Sequence, residues 1–174
     1  MSGIRSDGSW RNWAGNQRSR PVRIARPTSE SDVVDLVREA ATDGLGVRVV
    51  GAGHSFTAIA RTDDVLVTLD DMTGIVAVDE ATGRVRVRAG TRLSNLNLQL
   101  DAVGLAMSNL GDIAYQSVAG AISTSTHGTG LGFRSIAADV VGLRLVTADG
   151  AVLILDDDHD PDLRDVARVG LGGL

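Results

Sequence analysis

The stretch Val49-Val50-Gly51-Ala52-Gly53-His54-Ser55-Phe56-Thr57 sets two glycines, one residue apart, between an apolar run and a cluster of imidazole, hydroxyl and aromatic ring. Glycine lets a backbone turn tightly and approach a ligand closely, and successive exposed N–H groups suit a pyrophosphate. Gly51-Ala52-Gly53 is half of G-x-G-x-x-G, because Phe56 stands where the third glycine belongs. That glycine normally lets a helix pack closely on its strand, so a Rossmann site is disfavoured while phosphate binding is retained.

His54 is one of three histidines in the chain. An unperturbed imidazole is mostly neutral at pH 7 and therefore nucleophilic. Its type alone permits a base, a metal ligand, a covalent anchor or a structural hydrogen bond. His54, His127 and His159 show no metal-ligand spacing, and there is no cysteine to supply a thiolate, so no metal site is expected. His159 lies in an aspartate-rich loop and reads as solvent-facing. Ser55 and Ser117 have no partner base legible in the sequence and no G-x-S-x-G elbow, which disfavours a serine hydrolase.

A second stretch with chemical content runs from Asn109 to Gly130. Glycines at 111, 120, 128 and 130 are separated by small residues and hydroxyls, among them Ser117, Ser123, Thr124, Ser125, Thr126 and Thr129. Small side chains there leave room for a flat ligand and offer it hydrogen-bond donors.

Composition narrows the function classes. The 174 residues carry a net charge of −5, against both a nucleic-acid footprint and a polybasic membrane patch. All 17 basic residues are arginine, so no P-loop or Schiff-base lysine exists within the chain. No apolar run reaches the length of a membrane span, and the polar N-terminus lacks the apolar centre of a signal peptide. A soluble cytoplasmic protein is the expectation, leaving open a peripheral membrane association of the full-length protein. The 21 glycines cluster rather than scatter, as loops approaching a ligand would require.

The elements that must position these stretches follow from pattern. Residues 1–20 read as an N-terminal arm, with Trp10 and Trp13 packing on a core edge or, as the lesser reading, touching a cofactor, and 21–174 as the domain proper. Val22–Ala25 is a short strand. Ser29 and Asp32 form a capping box for a helix with Val33, Leu36, Val37 and Ala40 on one face, stopped by Gly44. Val47–Val50 and Val65–Leu69 are strands. Ile75–Val78 and Arg84–Arg88 form a hairpin whose alternating arginines make a solvated face. Thr91 is expected to cap a helix bearing Leu93, Leu96, Leu100 and Val103, ended by Gly104. Ser117 is expected to cap a short helix through 118–122. Asp139–Thr147 and Val152–Leu155 read as a second hairpin, followed by a helix from Pro161 to about Val169. This mixture of short crossovers and hairpins predicts α+β, with two small sheet layers, not a doubly wound parallel sheet. The closing Gly170-Leu171-Gly172-Gly173-Leu174 has the pattern of neither a tail nor a finished element, and suggests a fragment of a longer protein.

Three segments together carry a family resemblance: Arg26-Pro27-Thr28-Ser29-Glu30, Val50-Gly51-Ala52-Gly53-His54-Ser55-Phe56-Thr57, and Gly111-Asp112-Ile113 through Gln116-Ser117, Gly120-Ala121, Thr124 and Thr126-His127-Gly128-Thr129-Gly130. From about Trp13 onward the chain resembles the FAD-binding (PCMH-type) domain of the vanillyl-alcohol-oxidase-type flavoproteins, built from two small α+β subdomains. Within that group it is most similar to the aldonolactone oxidases and dehydrogenases, with alditol oxidase a near relative. The resemblance implies that Val50, Gly51, Ala52, Gly53, His54 and Ser55 wrap the FAD diphosphate and that His54 is joined to the flavin 8α-methyl. It implies that Gly111, Asp112, Gln116, Ser117, Gly120, Thr124, His127, Gly128, Thr129 and Gly130 line the other side of the cofactor. Ser117 would also meet substrate, and His127 would sit in a cofactor turn and not act as the base. The implied reaction oxidises the CH–OH group of a sugar 1,4-lactone, or of a polyol, with electrons passing to oxygen or a protein acceptor. The base is expected in a substrate-binding domain that this chain does not include, and the alternative reading is a truncated FAD-binding fragment without turnover.

Overall fold

The computed structural model of the chain describes residues 3–173. Met1, Ser2 and Leu174, the outermost residues of the expected arm and closing stretch, lie outside the described residues. The elements in order are β1 (Trp10–Arg11), β2 (Arg18–Ser19), β3 (Arg23–Ala25), α1 (Glu30–Thr42), β4 (Val47–Val50), β5 (Val65–Thr68), β6 (Ile75–Asp79), β7 (Arg84–Val87), α2 (Leu93–Asp101), α3 (Val118–Ser123), β8 (Leu143–Val146), β9 (Val152–Leu155) and α4 (Pro161–Ala167). The class is α+β, as expected.

Its centre is a three-stranded parallel sheet in the order β3-β5-β4, with Val65 facing both Arg23 and Val47 across the register. All four residues of β5 are buried, as a central strand covered on both faces requires. Alternation along that strand divides the core. Val65 and Val67 pack with Leu36 and Ala40 of α1. Leu66 turns the other way and packs with Val50 and Trp10. The expected packing of Trp10 on a core edge is therefore right and understated, since it is 1% exposed and the largest fully buried side chain. A third cluster, Leu93, Ala121 and Ile136, joins α2 to α3.

Both halves of the α1 capping box form. Ser29 accepts from the Asp32 N–H, and the Asp32 carboxylate accepts from the Ser29 N–H. The antiparallel pairs β6–β7 and β8–β9 occupy the expected stretches, and the arginines of β7 are exposed.

Three expectations are corrected. Thr91 does not cap α2. Its hydroxyl donates to the Arg88 carbonyl at 2.6 Å and accepts from the Gly74 N–H at 2.9 Å, and the cap position belongs to Arg92. A buried hydroxyl takes the nearest partners, and the turn carrying Thr91 brings Arg88 within reach. Val103 lies beyond the end of α2 and is 48% exposed, so the apolar face stops at Leu100. Asp139–Thr147 is not one strand: Ile136–Asp139 forms a 3₁₀ turn and only Leu143–Val146 pairs. Ile136 and Ala137 are buried against α3, and that tertiary contact overrides the β-branched run that follows.

Candidate functional site

Loop 51–64 leaves the carboxyl end of β4 and returns to the start of β5, so it stands at the end of a parallel sheet where ligands commonly bind. Among the described residues, no backbone N–H from Ala52 to Phe56 donates to a protein acceptor. Gly53, buried and with φ +72°, gives the turn that only glycine makes readily. Consecutive donors left without protein partners form an anion-binding concavity.

The second stretch meets this loop directly. Segment 89–94 runs against 114–119, with Leu93 N–H donating to the Gln116 carbonyl at 2.9 Å and Val118 N–H to the Thr91 carbonyl at 2.8 Å. This ladder delivers Ser117 to the N-cap of α3, where its Oγ accepts from the Gly120 N–H at 3.2 Å. Ser117 is 2% exposed, and a β-carbon on Gly51 would stand 2.4 Å from its Oγ. Among the described residues the Ser117 hydroxyl proton is donated to no protein acceptor. Gly120 approaches the same place, 3.7 Å from that imagined β-carbon.

Farther along, Gln116 Nε2 donates to Thr126 Oγ1 at 2.9 Å, while the buried Gln116 Oε1 has no hydrogen-bond partner. Thr124 Oγ1 donates back to the Gly120 carbonyl at 2.9 Å. Gly111 packs on Thr126, and Gly128 crosses so near Leu110 that a β-carbon there would meet the Leu110 carbonyl at 2.1 Å.

His54 lies in an open cleft of about 560 Å³, beside Trp13, Arg92, Tyr115 and the arm residues Arg5 and Arg11. Its ring is 5.5 Å from that of Trp13, tilted by 32°. Partial burial, and then the Arg92 cation, hold the imidazole below its ordinary pKa. Arg92 is itself ion-paired to Asp70 and donates to the Tyr115 carbonyl at 3.4 Å.

A model of the FAD binding domain matches residues 21–156. The chain belongs to that family. The family's PCMH/VAO-type α+β fold accounts for the parallel sheet and the hairpins. Among curated relatives, the chain is 46% identical over 165 residues to an L-gulono-1,4-lactone dehydrogenase of Mycobacterium tuberculosis, covering 95% of this chain and 38% of the relative. It is 40% identical to a D-arabinono-1,4-lactone oxidase of Eremothecium gossypii, over 99% of this chain and 33% of the relative. It is 38% identical to the L-gulonolactone oxidase of Mus musculus, over 95% and 38%. The chain thus spans 33–38% of the length of these relatives.

In this FAD binding domain, Val50, Gly51, Ala52, Gly53, His54, Ser55, Ser117 and Gly120 come together around one end of the sheet. Gly111, Gln116, Thr124, Thr126, His127 and Gly128 form an adjoining group. Asp112, Thr129 and Gly130 are exposed at its edge. His127 is exposed and its Nδ1 donates to the Gly128 carbonyl at 2.8 Å, a local bond within the turn. His159 is also exposed, paired with Asp156.

Sequence reasoning missed Asn12, Asp70, Arg92 and Tyr115, and gave Trp13 first a packing role on a core edge, which its 67% exposure corrects, with cofactor contact the lesser reading. Arg92 resembles any solvated arginine in the sequence. The amides at 12, 16 and 17 around Trp13 were the one available signal, since side-chain amides often tie down irregular backbone.

Proposed function

We propose that these residues form the FAD site of an oxidoreductase acting on the CH–OH group of a sugar 1,4-lactone of the gulono or arabinono type. The observation that carries the reading is the row of unpartnered N–H groups from Ala52 to Phe56, closed on one side by Ser117 and α3. An FAD diphosphate needs such donors, and the protein offers them without first breaking bonds of its own. Gly51 leaves room for that approach, and the spare proton of Ser117 can be donated to the flavin ring or to substrate. Gln116 Oε1 supplies a buried acceptor on the adjoining wall.

Bound FAD would supply two-electron chemistry, taking a hydride at N5 from the carbon that bears the substrate hydroxyl. His54, kept neutral by its surroundings, would be joined to the 8α-methyl. Such a bond would replace the His54 N–H and one methyl C–H by one N–C bond, with dioxygen as the two-electron oxidant. His127, committed to its turn, does not serve as the base, and the base lies outside the residues present here. A sugar lactone is favoured over a polyol because the relatives named above act on lactones by name. Oxygen or a protein acceptor receives the electrons, and a cytoplasmic setting belongs to the same proposal. Among the described residues no helix is long and apolar enough to cross a membrane.

Purified protein, denatured and run on a gel viewed for flavin fluorescence, tests both claims. A fluorescent band that is lost in His54→Ala, with yellow non-covalent FAD retained by that variant before denaturation, is the expected result. Complete release of FAD from the unsubstituted protein would overturn the bond, and failure to bind FAD at all would overturn the site.

A further inference from the structure

The N-terminal arm holds the His54 loop by its acceptor side. Trp13 N–H donates to the Gly53 carbonyl at 2.8 Å, and Asn12 Nδ2 to the Ser55 carbonyl at 2.9 Å. Asn16 Nδ2 and Gln17 Nε2 donate to the Phe56 carbonyl at 3.0 and 3.3 Å. Carbonyls at 53, 55 and 56 are thereby taken by the arm, while the N–H groups from 52 to 56 donate to no protein acceptor among the described residues. Asn12 is 3% exposed and locked in turn, its Oδ1 accepting from Gln17 N–H at 3.0 Å and its Nδ2 also donating to Asn16 Oδ1 at 2.7 Å. The β1–β2 pairing fixes the arm itself, and Trp10 anchors it in the core.

We propose that Asn12 and Trp13 are positioning residues for His54: Asn12 fixes the loop backbone so that its donors stay free, and Trp13 covers one face of the imidazole. Trp13 is 67% exposed, yet its ring lies against His54 and meets Phe56 edge-on at 6.4 Å. An exposed tryptophan with no apolar pocket is poorly accounted for by core packing, and its two ring contacts are both in this loop. The ionisable groups that line the cleft with His54 are Arg5 and Arg11 from the arm, Arg92 from the segment before α2, and Tyr115. Asp70, which could have favoured a protonated imidazole, is bound to Arg92. Burial, to which Trp13 contributes, and then the Arg92 cation therefore act in one direction, toward a neutral ring with a free lone pair. The inference rests on the reading of His54 as flavin anchor for its consequence, and on the arm–loop bonds for its geometry.

The test is an NMR titration of the His54 imidazole in the 174-residue protein before FAD is loaded, with the resonance assigned through His54→Gln, run beside the covalent flavin measurement on the FAD-loaded protein. In Trp13→Ala the His54 midpoint moves up toward the ordinary imidazole value, and the covalent flavin band weakens several-fold. Trp13→Phe, which restores an aromatic face, returns both readouts most of the way. In Asn12→Ala, exchange of the Trp13 amide, which donates to the Gly53 carbonyl, quickens while α1 keeps its protection. An unmoved His54 midpoint in Trp13→Ala, or unchanged exchange in Asn12→Ala, overturns the proposal. Because Trp13 is exposed, its replacement leaves the fold intact. Should the unsubstituted protein carry no covalent flavin, the anchor reading fails alone, and the titration still decides the positioning role.

Discussion

Gly51 and Ser117 are in contact across 66 residues of chain: a single methyl group on Gly51 would lie 2.4 Å from the Ser117 hydroxyl oxygen. This approach joins the end of the parallel sheet to the cap of α3, and with it the two stretches that the motif pattern had marked separately. A side chain at 51 would push Ser117 off Gly120 and close the space beside the loop donors.

Gly51→Ala is accordingly expected to destabilise the protein by about 1–3 kcal/mol, the usual cost of overpacking a filled site. FAD affinity should fall by about tenfold or more, since about 1.4 kcal/mol is one decade in a binding constant. Urea unfolding and titration of FAD absorbance check the two effects independently.

Ser117→Ala removes the side chain that accepts from Gly120 N–H, so it should cost about 0.5–2 kcal/mol, as lost N-caps do. The variant also loses its spare hydroxyl proton. A shift in the visible spectrum of bound FAD, with the loop donors untouched, would mark contact with the ring. No spectral change would show Ser117 to be a cap alone.

Gly128 and Gly132 make a paired test of how chain crossings build the second wall. A β-carbon at 128 would meet the Leu110 carbonyl at 2.1 Å and Asn109 Oδ1 at 2.5 Å, whereas one at 132 would meet nothing within 4 Å. Gly128→Ala should lower the melting temperature clearly and weaken FAD binding. Gly132→Ala should stay within about 0.5 kcal/mol of the parent, as surface changes do.

Acid stability should carry the signature of the α1 cap. Asp32 is lowered from 3.8 to about 2 by hydrogen bonds from the Thr28 backbone, then the Thr28 hydroxyl, then Ser29. A depressed carboxylate stabilises the fold above its unfolded pKa and loses that contribution as pH falls through the folded one. The contribution of Asp32 is thus complete above 3.8 and fades toward about 2. Glu30, lowered by Arg144, which bonds both its oxygens at 2.6 and 2.7 Å, acts in the same direction. Urea midpoints measured against pH should fall across this window, and Asp32→Asn should be less stable than the parent at neutral pH but converge with it in acid.

Much of this molecule was set locally, and so could be read without coordinates. The capping box at Ser29 and Asp32, the cap at Ser117, the β6–β7 and β8–β9 pairs and the loop at Gly51–Phe56 all follow from short-range periodicity and turn chemistry. Motif order alone identified the family that the match over residues 21–156 then showed. What depended on distant contacts was not legible. Thr91 left its expected cap for Arg88 and Gly74, and the start of the 139–147 run was drawn into a 3₁₀ turn by Ile136 packing under α3. The environment of His54 was decided in the same way, since Asn12, Trp13 and Arg92 reach it from elements remote in sequence. Local pattern records what a residue can do for its neighbours along the chain. Which imidazole face is covered, and which carbonyls are taken so that their N–H groups remain free, is a property of chain crossings, and only the tertiary structure decides it.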